Sequence, residues 1–264
     1  MAREVSSISR IGTSEPFELQ VSRGQVAYHE TQYKFGFNAD IDDSLETIWS
    51  EGGLYSYLTS ATVLKISSAS TDDASAGTGA RTITISGLDG DYDEISETVT
   101  LNGQTAVNTT NSYLRVFRMV VDTAGSGGQN ANKIYAGTGT VTSGVPANKY
   151  GVIDVGDNQT LMALWTVPKG YTAYLHQMDI SLNTEVANKF GTAHFVARPE
   201  GGVFNVKDKF VLSQYVINQE FTYPLKYEEK TDLEVRAIAS SSNANLAVSA
   251  GLDIIYIQNR PYAD

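Results

Sequence analysis

The chain of 264 residues contains no cysteine, which removes disulfides, thiolate nucleophiles, zinc–thiolate sites and iron–sulfur clusters from its possible chemistry. Histidine is scarce too: three residues leave little material for a histidine-based metal site. No apolar run approaches the roughly 20 residues that a membrane helix needs, and the longest, near Leu161–Val167 and Ile254–Ile257, are strand-sized. Met1–Gly12 lacks the apolar stretch of a signal peptide, so the chain is expected to be soluble, made in a cytosol and free of membrane partners. Positive charge is in deficit, with 19 Lys+Arg against 30 Asp+Glu and a net charge of −11. An acidic surface repels a phosphate backbone and argues against nucleic-acid binding. Helical periodicity is almost missing as well. With 41% hydrophobic and 19% charged residues the composition is nevertheless that of a globular protein with a real core.

What is present is period-two alternation of β-branched and aromatic residues, punctuated by Gly, Asn, Asp and Ser. Thr62–Ser67, Arg81–Ser86, Ile95–Leu101 and Leu114–Val121 read as strands, with Asp89-Gly90 as the turn between the second and third. Asn132–Ala136 and Thr140–Thr142 follow. A second block reads as strands over Gln159–Val167, Tyr171–Leu182, Thr192–Ala197, Val203–Leu212, Glu220–Pro224, Leu233–Ala239 and Ala247–Ile257. Tyr171–Leu182 has large residues on both faces and reads as a central strand.

The expected architecture is all-β: a first β domain over 51–143, a linker over 144–156, and an antiparallel β-sandwich over 157–264. Its connectivity is Ig-like or jelly-roll, since both present alternating strands at similar spacing. Residues 1–50 differ. Phe17, Leu19, Val21, Tyr28, Tyr33, Phe35 and Phe37 alternate with polar residues without tight hairpin turns, and are read as the anchors of an extended arm. The competing reading makes them the first strands of the first domain. A short helix is expected over 42–51, where Leu45, Ile48 and Trp49 share one face, Asp40, Asp42 and Asp43 cap it, and Gly52-Gly53 stops it.

Candidate chemistry is thin. Asp89, Asp91 and Asp93 have the alternation of a calcium loop, but an EF-hand would need Gly and Glu where Glu94 and Thr100 stand; a polar hairpin tip is the simpler reading. His176 and Asp179 are three apart on a strand and so point to opposite faces, while His194 lies elsewhere; neither a nucleophile elbow nor a metal spacing accompanies them. Gly77-Thr-Gly79 and Gly125-Ser-Gly-Gly128 lack the Lys-Ser/Thr ending of a phosphate loop. No catalytic residue, metal or cofactor is expected. The two tryptophans provide no run of sugar-stacking platforms, although Tyr171, Tyr174, Tyr215, Tyr223 and Tyr227 could form a shallow glycan surface.

Several stretches taken together carry a resemblance. They are Phe17–Gly24 (FELQVSRG), Lys34–Asp42 (KFGFNADID), Ile48–Leu54 (IWSEGGL), Arg81–Leu88 (RTITISGL), Ile95–Gly103 (ISETVTLNG), Tyr113–Met119 (YLRVFRM), Thr123–Asn130 (TAGSGGQN) and Gln159–Pro168 (QTLMALWTVP). Over about the first two-thirds of the chain, their combination resembles virion structural proteins of tailed bacteriophages, especially marine ones. The resemblance implies a place in a virion with other virion proteins (capsid, portal/neck or tail) as partners, and transfers no catalytic residue. Layout and resemblance together suggest a capsid or neck accessory protein: decoration, head fibre or collar spike, anchored by its N-terminal region. Copies on a symmetric particle are expected to form homo-oligomers, trimers foremost. The alternative is a tail or baseplate protein whose sandwich binds a host-surface glycan.

Overall fold

The computed structural model describes residues 15–184, 186, 188–213, 216–241 and 246–259. Among them are one short helix, α1 (Phe17–Ser22), and sixteen strands. These are β1 (His29–Ile41), β2 (Glu46–Thr47), β3 (Thr62–Ser68), β4 (Ala80–Leu88), β5 (Glu94–Thr100), β6 (Val107–Tyr113), β7 (Arg115–Ala124) and β8 (Ile134–Thr142). The rest are β9 (Val145–Ile153), β10 (Leu164–Thr166), β11 (Tyr171–Thr184), β12 (Gly191–Arg198), β13 (Asn205–Leu212), β14 (Val216–Tyr227), β15 (Asp232–Ala239) and β16 (Leu246–Gln258). Every strand pairing is antiparallel.

Two sandwiches result, each closed over its own apolar core. In the first, β6-β3-β8-β9 faces β5-β4-β7 across Leu64, Ile66, Ile83, Ile85, Tyr113, Met119, Ile134 and Val152. In the second, β1-β16-β11-β14 faces β10-β15-β12-β13 across Leu175, Met178, Ile180, Phe195, Trp165, Val235, Val248 and Leu252. Numbering the second sandwich's main strands one to eight in chain order gives 1-8-3-6 in one sheet and 2-7-4-5 in the other. That is jelly-roll order and excludes the Ig-like alternative.

The jelly roll is discontinuous in sequence. Its first strand is β1, which pairs with β16 from His29↔Ile257 to Ile41↔Leu246, and β2 adds to β15. The smaller sandwich, β3 to β9, is threaded between β2 and β10. Residues 29–41 are therefore neither a free arm nor the opening of the smaller sandwich. They form an edge strand that the C-terminal half needs for its fourth place.

Three further expectations are corrected. The segment read as a helix over 42–51 is a turn and the strand β2, because the buried Glu46 carboxylate organises the loop, accepting N–H bonds from Asp42 (2.9 Å) and Gly53 (2.8 Å) and an amide N–H from Asn38 (3.0 Å). Ile48 and Trp49 then enter different cores instead of one helical face. The stretch read as a linker over 144–156 contains β9, whose Tyr150, Val152 and Ile153 are core residues paired to β8. Its Gly, Thr and Ala content made a paired strand look like a loop. Finally, Phe17, Leu19 and Val21 lie on a helix, so only Val21 is buried.

Near its middle, β1 crosses the connection at Ile48 and Ala163 at close range: a Cβ on Gly36 would collide with the Ala163 N–H and the Ile48 carbonyl. The crossing is secured by N–H bonds from Met162 to Phe35 O and from Ala163 to Ile48 O, each 2.9 Å. Strand β11 is central, as its sequence suggests, but a bulge at His176 changes its phase. Ala173, Leu175, Met178 and Ile180 all face the core, which strict alternation forbids.

These pairings predict where truncation is tolerated. A chain beginning at His29 should remain folded, since it loses α1 and a minor contact of Val21 and Val26 with Ile255. A chain beginning at Glu51 loses β1 and β2 and should not unfold cooperatively by circular dichroism.

Candidate functional site: a buried charge seam and two outer faces

Strand β15 is covered on both faces, and the two coverings differ in chemistry. Leu233, Val235, Ala237 and Ala239 enter the jelly-roll core, so Asp232, Glu234 and Arg236 point the other way, toward the smaller sandwich. Asp232, 2% exposed, is the acceptor for both arginines that reach it. Its Oδ1 takes bonds from Arg115 Nε (2.8 Å) and Thr166 Oγ1 (2.6 Å). Its Oδ2 takes them from Arg198 Nε (2.9 Å) and Nη2 (2.5 Å) and from Arg115 Nη2 (3.2 Å). Glu234 is fully buried and accepts from Thr47 Oγ1 (2.5 Å), Tyr57 OH (3.1 Å) and both arms of Arg236 (2.9 Å each).

Aromatic rings enclose the seam. Arg198 lies 4.5 Å from both the Tyr57 and Phe204 centroids, Arg236 4.3 Å from Phe204, and Arg115 5.0 Å from Tyr57. Burial, reinforced by the Glu234 charge, pushes the Tyr57 hydroxyl far above the usual tyrosine range. Burial works against the Arg115 cation, but its hydrogen bonds to Asp232 and the carboxylate charge together outweigh that and raise it. Since these carboxylates are already bonded on several sides, the seam acts as a joint between sandwiches.

A second buried charge lies where β1 meets β7. Lys34 is 1% exposed and donates to the Phe117 carbonyl, while Arg118 lies 5.0 Å from the Phe35 ring centroid and donates to Tyr33 O (3.3 Å). Desolvation, aided by the Arg118 charge, lowers the Lys34 ammonium well below the usual lysine range.

The candidate anchors separate into two groups. Tyr33, Phe35 and Phe37 line the outer face of β1, with Tyr33 and Phe35 stacked at 5.6 Å, and Tyr33 and Phe37 exposed. Phe17 and Leu19 are exposed on α1, where Phe17 meets the His29 ring edge-on at 5.7 Å, and Tyr28 is exposed at the turn into β1. Val21 is buried and presents nothing. The glycan tyrosines do not form one surface. Tyr227 is a core residue edge-on to Phe195, its hydroxyl pushed up to about 12 chiefly by burial. Tyr171 packs on Tyr256 and donates to Glu30, Tyr174 is half-buried between Ile255 and Lys226, and Tyr223 stands 85% exposed on a bulge opposite His176. Tyr215 lies outside the described residues.

The acidic hairpin between β4 and β5 is tied by Asp89 Oδ1, which accepts the N–H groups of Asp91 (2.9 Å) and Asp93 (3.0 Å). Asp40, Asp42 and Asp43 cap no helix, since none forms there. The bulge puts His176 beside Asp253 in a cleft of about 630 Å³ between α1 and the sheet. Asp179 accepts from Tyr33 OH at 3.3 Å. His194 lies between Arg236 and Lys209 on the outer face of the other sheet; burial first, then those cations, hold its imidazolium below the usual range.

Sequence reasoning missed the seam entirely. The alternation of Asp232, Glu234 and Arg236 with apolar residues was visible, but it has the pattern of an ordinary solvated strand face.

No family model matches the chain, and no curated protein matches it. Among solved structures, infectious bursal disease virus, Gx strain, aligns over 89% of this chain and 73% of its own at 11% identity, with a TM-score of 0.24. The VP2 subviral particle of the same virus aligns over the same shares at 12% identity and a TM-score of 0.23. Scores this low define neither a shared fold nor a shared role. The all-β antiparallel architecture stands on the strand pairings themselves.

Asp232→Ala should cost about 3–5 kcal/mol, because it leaves the buried Arg115 and the partly buried Arg198 without their anion; urea denaturation measures it. Lys34 yields a pH prediction with a defined sign. Its folded pKa is depressed, so below the unfolded value of about 10.4 the unfolded chain binds more protons and stability falls as pH falls toward the depressed pKa. Lys34→Met should therefore raise the melting temperature at neutral pH, with the gain shrinking as pH rises toward 10 or so.

Proposed function

We propose that this chain is a non-enzymatic structural component of a tailed-bacteriophage virion, a capsid or neck accessory protein of the decoration, head-fibre or collar type. The observation that carries the reading is the jelly-roll strand order, an architecture that recurs in viral capsid and lectin domains. One fold serves many functions, so the choice of a phage virion rests on the sequence resemblance. The resembling stretches Lys34–Asp42, Ile48–Leu54, Tyr113–Met119 and Gln159–Pro168 meet where β1, β7 and β10 cross between the two cores. They belong to the framework that joins the sandwiches, as befits a protein whose work is to hold a shape.

Anchoring to the particle would use exposed apolar groups near the N-terminus, Phe17 and Leu19 on α1 and Tyr33 and Phe37 on β1. Because β1 is built into the jelly roll, the anchor is a face of a folded body and not a detachable arm. The partners are other virion proteins and further copies of this chain, with a trimer favoured. The glycan-binding alternative loses support from the dispersal of its tyrosines, since Tyr227 is buried and Tyr171 is bonded to Glu30.

Antibody-gold labelling of intact particles, viewed by electron microscopy, tests the placement. Gold on the head or neck is expected. Label at the far end of the tail would move the protein to host recognition, and no label on any accessible surface would overturn an exposed accessory role.

A further inference from the structure

The two outer faces of the jelly roll carry groups of opposite charge that have no ion-pair partner within the described residues: carboxylates on one and, away from the seam, lysines on the other. On the β1-β16-β11-β14 sheet, one cross-strand row runs Tyr33–Asp253–Gln177–Glu220 and the next runs Phe35–Gly251–Asp179–Asn218. Helix α1 adds Glu18, and the cleft of about 630 Å³ beneath it is lined by Glu18, Tyr33, His176, Glu220, Phe221 and Asp253. Three carboxylates thus share one concavity with aromatic walls. Asp253 is the most enclosed of them: burial first, then the charge of neighbouring Asp179, lift its carboxyl above the usual range, with His176 opposing.

On the far side of the sandwich, the β10-β15-β12-β13 sheet presents the row Arg236–His194–Lys209. Lys207 stands at the adjoining bulge of β13. Val206 and Val211, on the same strand, are 56% and 67% exposed. Strand β13 is the open edge of its sheet. Among the described residues, neither Lys207 nor Lys209 has an ion-pair partner, and neither do Glu18, Glu220 or Asp253. In a chain of net charge −11, two unpaired lysines on either side of Asp208, which lies opposite Phe195 and toward Tyr227, form with the exposed valines a local exception.

We infer that the β13 edge of one copy seats in the acidic cleft of a second copy, Lys207 and Lys209 meeting Glu18, Glu220 and Asp253 while Val206 and Val211 cover Tyr33. The fit is of charge and apolarity at once: cations enter a concavity of carboxylates, and exposed aliphatic side chains meet exposed aromatic ones. Because the two faces lie on opposite sides of one sandwich, the contact is head-to-tail. Each copy uses both faces, and such contacts close into a ring or continue as a filament. This deepens the assembly reading by naming its interface, and because it is tested in solution its failure leaves the virion placement to the labelling experiment.

Charge reversal on the full-length chain, followed by sedimentation velocity over a concentration series at low and high salt, tests the contact. The wild type should self-associate, less so at high salt. The double variant Lys207→Glu/Lys209→Glu should weaken association by about tenfold or more, as should Glu18→Lys/Glu220→Lys. All four positions are exposed, so the fold should survive, which circular dichroism checks. Mixing the two variants should restore association, because one variant's native face then meets the other's native face and the two reversed faces match each other. A wild type that stays monomeric at low salt would overturn the inference. So would reversals that leave association unchanged, or folded variants that fail to associate when mixed.

Discussion

Two guanidinium groups from different parts of the chain converge on one carboxylate, and the arrangement of the two sandwiches depends on that meeting. Arg115 comes from β7 of the smaller sandwich, Arg198 from β12 of the jelly roll, and Asp232 from β15 is bonded to both. A buried carboxylate carries a large desolvation cost, offset here because hydrogen bonds from two cations and a hydroxyl surround it. The geometry is demanding in a way that apolar packing is not. Paired planar forks accept few orientations, so the seam specifies how the sandwiches sit as well as that they touch.

Around this seam the chain solves a topological problem. A jelly roll needs its first strand beside its last, yet β1 and β16 are separated by the whole of the smaller sandwich. The chain crosses between the two cores at Ile48 and again at Ala163, and the N–H bond from Ala163 to Ile48 O ties the outgoing and returning segments together at 2.9 Å. Gly36 permits β1 to pass over that knot of backbone. Lys34 and Arg118 then fix β1 to β7. The insertion is thereby clamped at its base.

Much of the local structure was legible in the residues. The strands around Ile83 and Ile85, or Leu233 and Val235, announce themselves because side chains alternate in a strand and each core takes one face. Errors arose where local pattern and tertiary context disagreed. Leu45, Ile48 and Trp49 have helical spacing, but Thr47 and Ile48 give their N–H groups to Gly53 O and Val235 O, partners that a helix over these residues would not supply. Tyr150 and Val152 are core residues within a Gly- and Ala-bearing stretch that has a loop's composition. The bulge at His176 shifts the strand's phase by a residue, so His176 and Asp179, whose spacing of three predicts opposite faces, both lie on the outer one. Among the anchor candidates, Phe17, Leu19, Tyr33 and Phe37 reach the surface and Val21 does not, because residues 17–22 form a helix, whose period differs from that of the extended arm expected there.

By itself the sequence determined the all-β character, the positions of most strands and the absence of thiol chemistry, since these follow from composition and from a period of two residues. Only the tertiary structure decided that β1 belongs with β16, that the order is jelly-roll, and that Asp232 and Glu234 are buried. Strand pairing between distant segments leaves no periodicity in either one. A charged strand face reads the same in sequence whether water or a pair of arginines covers it.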